Sequence, residues 1–274
     1  MRNRVLAGCL LVAVALVWRF AGSRLLWRVP TESGRILAQT SSDWGAIPIG
    51  NRECALVNNT WNRAAAGNGF EQSVFVEENA GKLELGWRAP WHLWPTVVSQ
   101  PQIVCGNKPW DPKIRPDGGF PFRAGTRRLT VDFDVHLRAS GVYNMVFSLW
   151  SVSAVPPSPQ DISHEIMIWT AYARQSPAGH RVDSIAVQGI TYDVYIEPHQ
   201  TDASRQNSNA WTYVAFVPAI PVFRGPLQIT PFLDYLLRRG TLSGGQYLTS
   251  LEFGNEVSQG AGIAEVREFA IHVE

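Results

Sequence analysis

The amino-acid sequence predicts an all-β fold, either a β-sandwich or a jelly roll. From about Ile47 onward, short stretches that alternate apolar and polar residues are separated by turn residues, and the 274 residues include 23 Gly and 18 Pro. Only one stretch has the period of a helix. Strands of this length and spacing, in a chain of uniform composition, are typical of sandwiches and jelly rolls. With 45% hydrophobic residues, the chain can bury the core of one large domain or of two small ones.

The longest alternating stretch covers residues 128–137 and predicts a strand with one buried face. Successive side chains of a strand point to opposite faces, so its apolar residues share the inward face. These residues are Leu129, Val131, Phe133, Val135 and Leu137. The same reasoning predicts strands at residues 54–59, 82–87, 143–150, 163–172, 183–187, 191–196, 211–217, 246–253 and 263–272.

The single predicted helix covers residues 230–239. Thr230 is expected to cap it, Pro231 to take the first helical position and Gly240 to end it. Its apolar stripe consists of Phe232, Leu233, Leu236 and Leu237. A lone helix on a twisted sandwich is expected to cover the convex side, where its role is packing.

Composition and charge exclude several classes of function. The chain has 24 basic and 23 acidic residues, a net charge of +1, and no Lys/Arg run, so no nucleic-acid partner is expected. It has no Gly-rich phosphate loop and no Cys/His spacing typical of a metal site, so no metal or other cofactor is expected. The 11 Trp residues suit carbohydrate, whose C–H faces stack on aromatic rings. The alternative is that most of them fill the core.

Residues 1–23 have the pattern of a signal peptide. Two Arg residues precede an apolar run over residues 5–18, and Ala-Gly-Ser at 21–23 offers a cleavage site. The apolar run is short for a membrane span. Further Arg residues at 19, 24 and 28 are unusual after such a run, so an uncleaved membrane anchor is the alternative. Residues 24–46 are predicted to be a linker and residues 47–274 the functional domain.

Export would place Cys54 and Cys105 in an oxidising compartment, where two cysteines are candidates for a disulfide. Closing that loop would stabilise the fold by about 4 kcal/mol in the chain-entropy model. The sequence leaves the pairing open, because it does not show whether the two Cα atoms approach each other.

The strand predicted at residues 163–172 has an unusual second face. Glu165, Met167 and Trp169 share that face, while two Ile residues share the other. A strand that only separated core from water would carry Lys, Thr or Ser there. The face is therefore either the floor of a cleft for a flat polar ligand, or a buried Glu satisfied by a neighbour in a two-layer core.

A second acidic strand is predicted at residues 248–256. Glu252, Gly254 and Glu256 lie on the face opposite to Leu251 and Phe253. A glycosidic bond is usually cleaved between two carboxyl groups, so this strand offers the partner that Glu165 would need. Gly254 is expected to leave a gap where a sugar ring approaches the backbone. The alternative is an edge strand whose acids are solvated, which suits Glu252 equally well.

Several short motifs occur in a fixed order along the chain. They are Asn-Asn-Thr-Trp at 58–61, Ser-Gln-Pro-Gln-Ile at 99–103, Gly-Asn-Lys-Pro-Trp at 106–110, Glu-Ile-Met-Ile-Trp at 165–169 and Phe-Gly-Asn-Glu at 253–256. Together they resemble glycoside hydrolase family 12, the compact retaining β-glucanases, over nearly everything from about residue 48 to the end. The resemblance implies a jelly-roll sandwich of two antiparallel sheets with a concave substrate cleft.

The resemblance also implies roles for individual residues. Glu165 would be the nucleophile and Glu256 the acid/base, with carboxyl groups about 5–5.5 Å apart, and the charge of Glu165 would raise the pKa of Glu256. Trp61 would be a stacking platform for a sugar, with Asn59 as its polar neighbour. The floor beside the nucleophile would be formed by Met167 and Trp169.

Three positions depart from the family pattern. The strand before the nucleophile usually carries an Asp, and Ser148 stands in its place, so the site lacks an acid that can share a proton with the nucleophile. We expect a simpler titration of Glu165 and a shifted acid limb in the pH profile. Asn255 replaces the family's Thr, and Gln100 replaces its Tyr.

The sequence thus predicts a secreted or periplasmic, monomeric, endo-acting hydrolase of β-1,4-glucans that retains anomeric configuration, and that stays on the membrane if the N-terminal segment is not cleaved. Cellulose, mixed-linkage glucan and xyloglucan are the candidate substrates. Two alternatives are a non-catalytic glycan-binding sandwich that lost turnover at Ser148, and a structural or adhesive sandwich whose Trp residues are core. The choice of glucan is expected to depend on rim loops at residues 88–98, 111–124 and 197–210.

Overall fold

The computed structural model describes residues 35–50, 54–77, 82–93, 95–110 and 119–274. These residues form strands and one α-helix, together with short 3-10 turns. The strands are β1 (Ile36–Thr40), β2 (Ala46–Ile49), β3 (Cys54–Asn59), β4 (Glu71–Glu77), β5 (Leu83–Ala89), β6 (Gln100–Gly106), β7 (Phe122–Arg123), β8 (Leu129–Val152), β9 (Ile162–Ala173), β10 (His180–Val187), β11 (Ile190–Thr201), β12 (Ala210–Pro218), β13 (Arg224–Gln228), β14 (Tyr247–Gly254) and β15 (Val257–Val273), and the helix is α1 (Thr230–Arg239).

Strand β8 belongs to both layers of a sandwich. Its first part, residues 129–143, pairs with β15, and its second part, residues 144–152, pairs with β9. The outer sheet has the order β1-β4-β5-β15-β8-β13, and the inner sheet has the order β2-β3-β6-β14-β8-β9-β12-β11-β10. All these pairs are antiparallel except β9 with β12, which run parallel. The predicted jelly-roll sandwich is confirmed, with this one parallel pair as an exception to the antiparallel pattern.

The main hydrophobic core lies between the outer and inner sheets, and each part of β8 contributes side chains to it. The rings of Phe133 and Phe147, one from each part, lie 5.1 Å apart, and Phe253 of β14 stacks on Phe147 at 4.3 Å. The alternation in residues 128–137 therefore predicted the inward face correctly, although Leu137 is only partly buried at the edge. Aromatic pairs of this kind add to the burial of apolar area that holds the two sheets together.

Helix α1 packs on the face of the inner sheet opposite its concave side. Phe232 contacts the rings of Tyr192 and Phe216, at 4.9 Å each. The helix ends at Gly240, whose left-handed backbone (φ 74°) is the conformation that glycine favours. The expected cap at Thr230 is wrong: Thr230 is already helical, and its hydroxyl accepts from the backbone N–H of Leu129 at 2.8 Å, which ties the helix to β8.

The folded region begins earlier than the sequence indicated. Residues 36–40, placed in the predicted linker, form β1 and pair with β4, because their alternating apolar side chains extend the outer sheet. The predicted signal segment, residues 1–23, lies outside the described residues. In the part of the chain that is described, no helix is long and apolar enough to cross a membrane.

A disulfide joins Cys54 and Cys105 in the inner sheet. The two residues are direct partners in the antiparallel pair β3–β6, with Cα atoms 4.2 Å apart. The strand register therefore brings the two Cα atoms close enough for a disulfide, which the sequence alone did not show.

Candidate active site

A cavity of about 490 Å³ opens on the concave face of the inner sheet. The carboxyl groups of Glu165 on β9 and of Glu256 just after β14 reach it, and residues 200–204 and 206–207 form one of its walls. The aromatic lining consists of Trp44, Trp61, Trp110, Trp150, Trp211 and Tyr213. Aromatic walls with a few convergent polar groups are typical of ligand sites. Five of the Trp residues whose role the sequence left undecided therefore line a cavity.

Glu165 lies in the middle of the inner sheet and faces this cavity. Its strand β9 lies between β8 and β12, so that Trp150 and Tyr213 are its direct neighbours. The indole Nε1 of Trp211 donates a hydrogen bond to Glu165 Oε2 at 2.9 Å. Burial raises the pKa of Glu165 to about 8, the charge of Glu256 adds to that rise, and the Trp211 hydrogen bond opposes it.

Glu256 follows β14 directly and is held by the side chain of Asn144 on β8. Asn144 Nδ2 donates to Glu256 Oε2 at 2.5 Å, and Asn144 Oδ1 accepts from the Glu256 backbone N–H at 3.1 Å. Gln175 Nε2 donates to the same carboxylate oxygen at 3.2 Å. Burial raises the pKa of Glu256 to about 7, and the Asn144 hydrogen bond moderates the rise. The unusual Asn255 supports this clamp, because its Nδ2 donates to the Asn144 carbonyl at 2.9 Å.

The two carboxyl groups interact through the cavity. Both line it, and the pKa of Tyr213 lies well above its usual value because of burial and the nearby charges of Glu256 and Glu165. The sequence predicted a raised pKa for Glu256 alone, whereas burial raises the pKa values of both acids. Because the charge of Glu256 acts on Glu165, the two carboxyl groups titrate as a coupled pair.

Trp61 and Asn59 form the opposite wall. Asn59 Oδ1 accepts from the Trp61 backbone N–H at 3.1 Å, which fixes the turn after β3. The Trp61 carbonyl accepts from Gln206 Nε2 at 3.0 Å, so the loop after β11 reaches across the rim to the platform. Asp202 Oδ2 orders that loop by accepting from the backbone N–H groups of Gln206 and Asn207, both at 2.9 Å. The sequence identified this loop as part of the rim without giving its conformation.

Three of the predicted site residues lie beneath the cavity and do not line it. Met167 and Trp169 have 1% and 0% exposure and pack in an apolar cluster with Tyr213, so the floor that we expected them to form is wrong for this structure. On that face they pack against the side chains of Val146 and of Tyr213, Ala215 and Val217, with Ala178 and Tyr195 beside them. Ser148 is also buried, and its hydroxyl accepts from Gln100 Nε2 at 3.2 Å.

Strand β14 differs from its prediction at two positions. A Cβ at Gly254 would lie 2.1 Å from the carbonyl oxygen of Pro101, so the glycine permits close strand packing and leaves no gap for a sugar. Glu252 is fully buried rather than solvated, and Lys108 Nζ binds its Oε2 at 2.8 Å. Sequence reasoning missed Lys108, as it missed Asn144, Gln175 and Trp211, because each of these residues reaches its carboxylate only through the pairing of strands or the path of a loop. The high Trp content was the only signal for Trp211.

Known proteins are similar to this chain in sequence and in fold. A model of glycosyl hydrolase family 12 matches residues 53–274. Endoglucanase S of Pectobacterium parmentieri is 26% identical over 247 residues, which cover 86% of this chain and 88% of that protein. A xyloglucan-specific endo-β-1,4-glucanase A of Emericella nidulans is 27% identical over 124 residues, which cover 44% of this chain and 47% of that protein. The solved structure of a native family 12 xyloglucanase from Bacillus licheniformis superposes with a TM-score of 0.78 at 24% identity, covering 86% of this chain and 100% of that one.

The structural likeness shows the fold, and the family match extends over both acidic strands and most of the chain. The alternative of a structural sandwich whose Trp residues serve only as core is therefore wrong. This chain is a glycoside hydrolase and belongs to glycosyl hydrolase family 12.

Proposed function

We propose that this protein is an endo-acting hydrolase of β-1,4-glucans that retains anomeric configuration, with Glu165 as the nucleophile and Glu256 as the acid/base. The observation that carries the proposal is the convergence of these two acids, from separate strands, on one aromatic cavity. Both have raised pKa values, and an acid that keeps its proton near neutral pH is what protonation of a leaving group requires.

In the first step, the Glu165 carboxylate attacks the anomeric carbon while Glu256 gives its proton to the glycosidic oxygen that leaves. The hydrogen bond from Trp211 fixes one oxygen of Glu165 and leaves the other free for attack. The positive charge that develops on the sugar favours the ionised form of Glu165. Glu165 is thus ionised and Glu256 protonated when the bond breaks, and Asn144 and Gln175 hold the Glu256 carboxyl group in place.

In the second step, water releases the sugar from Glu165. The glycosyl ester has no charge, so the repulsion that kept a proton on the pair disappears and the pKa of Glu256 falls. Glu256 then acts as the base that takes a proton from the attacking water. The bond to Glu165 breaks, and both acids return to their starting states.

The lining of the cavity supports a β-glucan as the substrate class. Five Trp rings offer apolar faces to sugar rings, and Asn59, Gln200 and Asp202 offer polar groups to hydroxyls. The relatives are named as an endoglucanase and a xyloglucan-specific endo-β-1,4-glucanase. Secretion is part of the proposal and is supported by the signal-like segment at residues 1–23 and by the Cys54–Cys105 disulfide.

The test is the release of reducing ends from carboxymethylcellulose, mixed-linkage β-glucan and xyloglucan. We expect release from at least one of them, and a loss of at least roughly a thousandfold in Glu165→Gln and in Glu256→Gln. Early NMR spectra of the product should show the β-anomer first. Binding without release in the wild type would identify a non-catalytic glycan-binding domain, and a fully active Glu165→Gln would remove the proposed nucleophile.

A further inference from the structure

We propose that Lys108 and Glu252 form a buried positioning pair that governs the ionisation of Glu165, and that Glu252 thereby supplies from β14 the acid that Ser148 does not supply from β8. This inference rests on the proposed role of Glu165. It assigns a function to two residues that act on the reaction through Glu165 and do not themselves touch the reacting bond.

The pair is the most completely buried ion pair among the described residues. Lys108 Nζ lies 2.8 Å from Glu252 Oε2, and the two side chains have 1% and 0% exposure. Lys108 reaches the cavity wall and its Nζ lies 4.9 Å from the centre of the Trp110 ring, whereas Glu252 lies behind that wall. Charges removed from water in this way act on their neighbours with little screening.

The register places Glu252 on the same side of the inner sheet as Glu165. Ser148 on β8 is directly opposite Glu252 on β14 and directly opposite Met167 on β9, two positions from Glu165. Strands β14 and β9 flank β8, so about 10 Å separates their axes. Between them at this level, the neutral hydroxyl of Ser148 lies on the same face of the sheet, beneath the cavity.

A chain of amides connects the pair to Ser148. With its amide oxygen turned toward Lys108, Gln102 accepts from Nζ at 2.7 Å and donates to Glu252 Oε2 at 3.3 Å. In the same orientation it donates to Gln100 Oε1 at 3.0 Å, and Gln100 in turn donates to Ser148. The ion pair is therefore fixed in place, and the polar groups of this network satisfy one another.

The two members of the pair act on Glu165 with opposite signs. After burial and the charge of Glu256, the charge of Glu252 also raises the pKa of Glu165, while that of Lys108 lowers it. Tyr213, from β12, is a further titratable group that interacts with Glu165, and Trp211 donates to Glu165 as a neutral group. Removing one of the two charges should therefore expose the effect of the other on the pKa of Glu165.

The test is a 13C NMR titration of the glutamate carboxyl groups, with Glu165 assigned by its loss in Glu165→Gln. In Glu252→Gln, the unopposed Lys108 should lower the titration midpoint of Glu165 by about one pH unit. The acid limb of kcat/KM should move by the same amount in the same direction. Glu84→Gln, a buried Glu of the outer sheet away from the cavity, is the matched control and should leave the midpoint unchanged.

A second variant, Ser148→Asp combined with Glu252→Gln, moves the carboxylate from β14 to β8 and keeps the buried charges balanced. It should return the midpoint of Glu165 at least to the wild-type value, because the new carboxylate lies on the strand next to β9 and again opposes the charge of Lys108. It also decides the matter if Glu252→Gln alone does not fold. An unchanged midpoint in a folded Glu252→Gln, or a midpoint below that of the wild type in the combined variant, would overturn the proposal.

The NMR readout separates this inference from the proposed function. A shifted midpoint in a protein that releases no reducing ends would leave the pair intact and reject the hydrolase mechanism. An active enzyme whose Glu165 titrates identically with and without Glu252 would support the hydrolase mechanism and reject the role of the pair.

Discussion

Gln206 and Trp61, which are far apart in the sequence, meet across the rim of the cavity, where Gln206 Nε2 donates to the Trp61 carbonyl at 3.0 Å. The contact joins the loop after β11 to the turn after β3 and thereby holds the aromatic platform and the polar wall at a fixed separation. A polymer that binds between them meets a rim that is already ordered, so the contact should contribute to binding rather than to bond cleavage.

Removing this bridge should weaken binding. In Gln206→Ala, we expect KM for the preferred glucan to rise roughly fivefold with kcat nearly unchanged, because one net hydrogen bond contributes about 1 kcal/mol. Gln188→Ala is the matched control, since Gln188 Nε2 makes an equivalent 2.8 Å bond to the Pro226 carbonyl away from the cavity. Equal KM values in the two variants would show that the bridge has no role in binding.

The clamp on Glu256 should be visible in the basic limb of the pH profile. Asn144→Ala removes a donor that favours the ionised carboxylate, so the pKa of Glu256 rises and the basic limb of kcat/KM moves to higher pH. We expect a loss of roughly tenfold in kcat/KM at neutral pH, from one charged hydrogen bond. Gln175→Ala, which removes the longer bond, should give a smaller shift of the same sign. A basic limb that moves to lower pH would contradict this account.

The disulfide should contribute strongly to stability. Cys54 and Cys105 close a loop with a sequence separation of 51 residues, so its reduction should lower the free energy of unfolding by about 4 kcal/mol. The measurement is urea unfolding of the oxidised protein and of the double variant Cys54→Ala/Cys105→Ala, with free thiols titrated in each sample. Coincident unfolding curves would mean that the inner sheet holds these strands without the bond.

Glu84 in the outer sheet should make stability depend on pH. Burial, and then the charges of Glu77 and Glu265, raise its pKa from 4.5 to about 7. The folded protein thus binds this proton more tightly than the unfolded chain does, so the stabilisation is complete below about pH 4.5 and is lost as pH rises through 7. Glu84→Gln should raise the free energy of unfolding on the order of 2 kcal/mol at pH 8 and change it little at pH 4.

The control for Glu84 is Glu71→Gln on the neighbouring strand β4, where the carboxylate is exposed and pairs with Arg88. Exposed pairs contribute little, so this variant should differ from the wild type by less than about 1 kcal/mol at both pH values. Chemical unfolding at pH 4 and pH 8 checks both variants. The prediction would be contradicted if Glu84→Gln lost as much stability between pH 4 and pH 8 as the wild type does.

Several features of the site were predictable because they depend on local pattern. Alternation in residues 163–172 put Glu165 on the face opposite to two buried Ile residues, and alternation in residues 248–256 put Glu256 on the face opposite to Leu251 and Phe253. The order of short motifs predicted the family, which the comparison with known proteins confirms. The same reasoning was wrong about Met167 and Trp169, since it gave their face but not what covers that face.

What the sequence determined by itself is the direction of each side chain along its own strand. Period-two alternation is a property of the extended backbone, so Val131 and Phe133 had to share one face of their strand, and Glu165 had to lie opposite Ile166 on its own strand. What only the tertiary structure decided is which strands are neighbours and in what register. The contacts of Glu165 with Trp211, of Glu256 with Asn144 and of Glu252 with Lys108 all join separate strands or loops. Each depends on pairings between distant parts of the chain, and no local periodicity encodes those pairings.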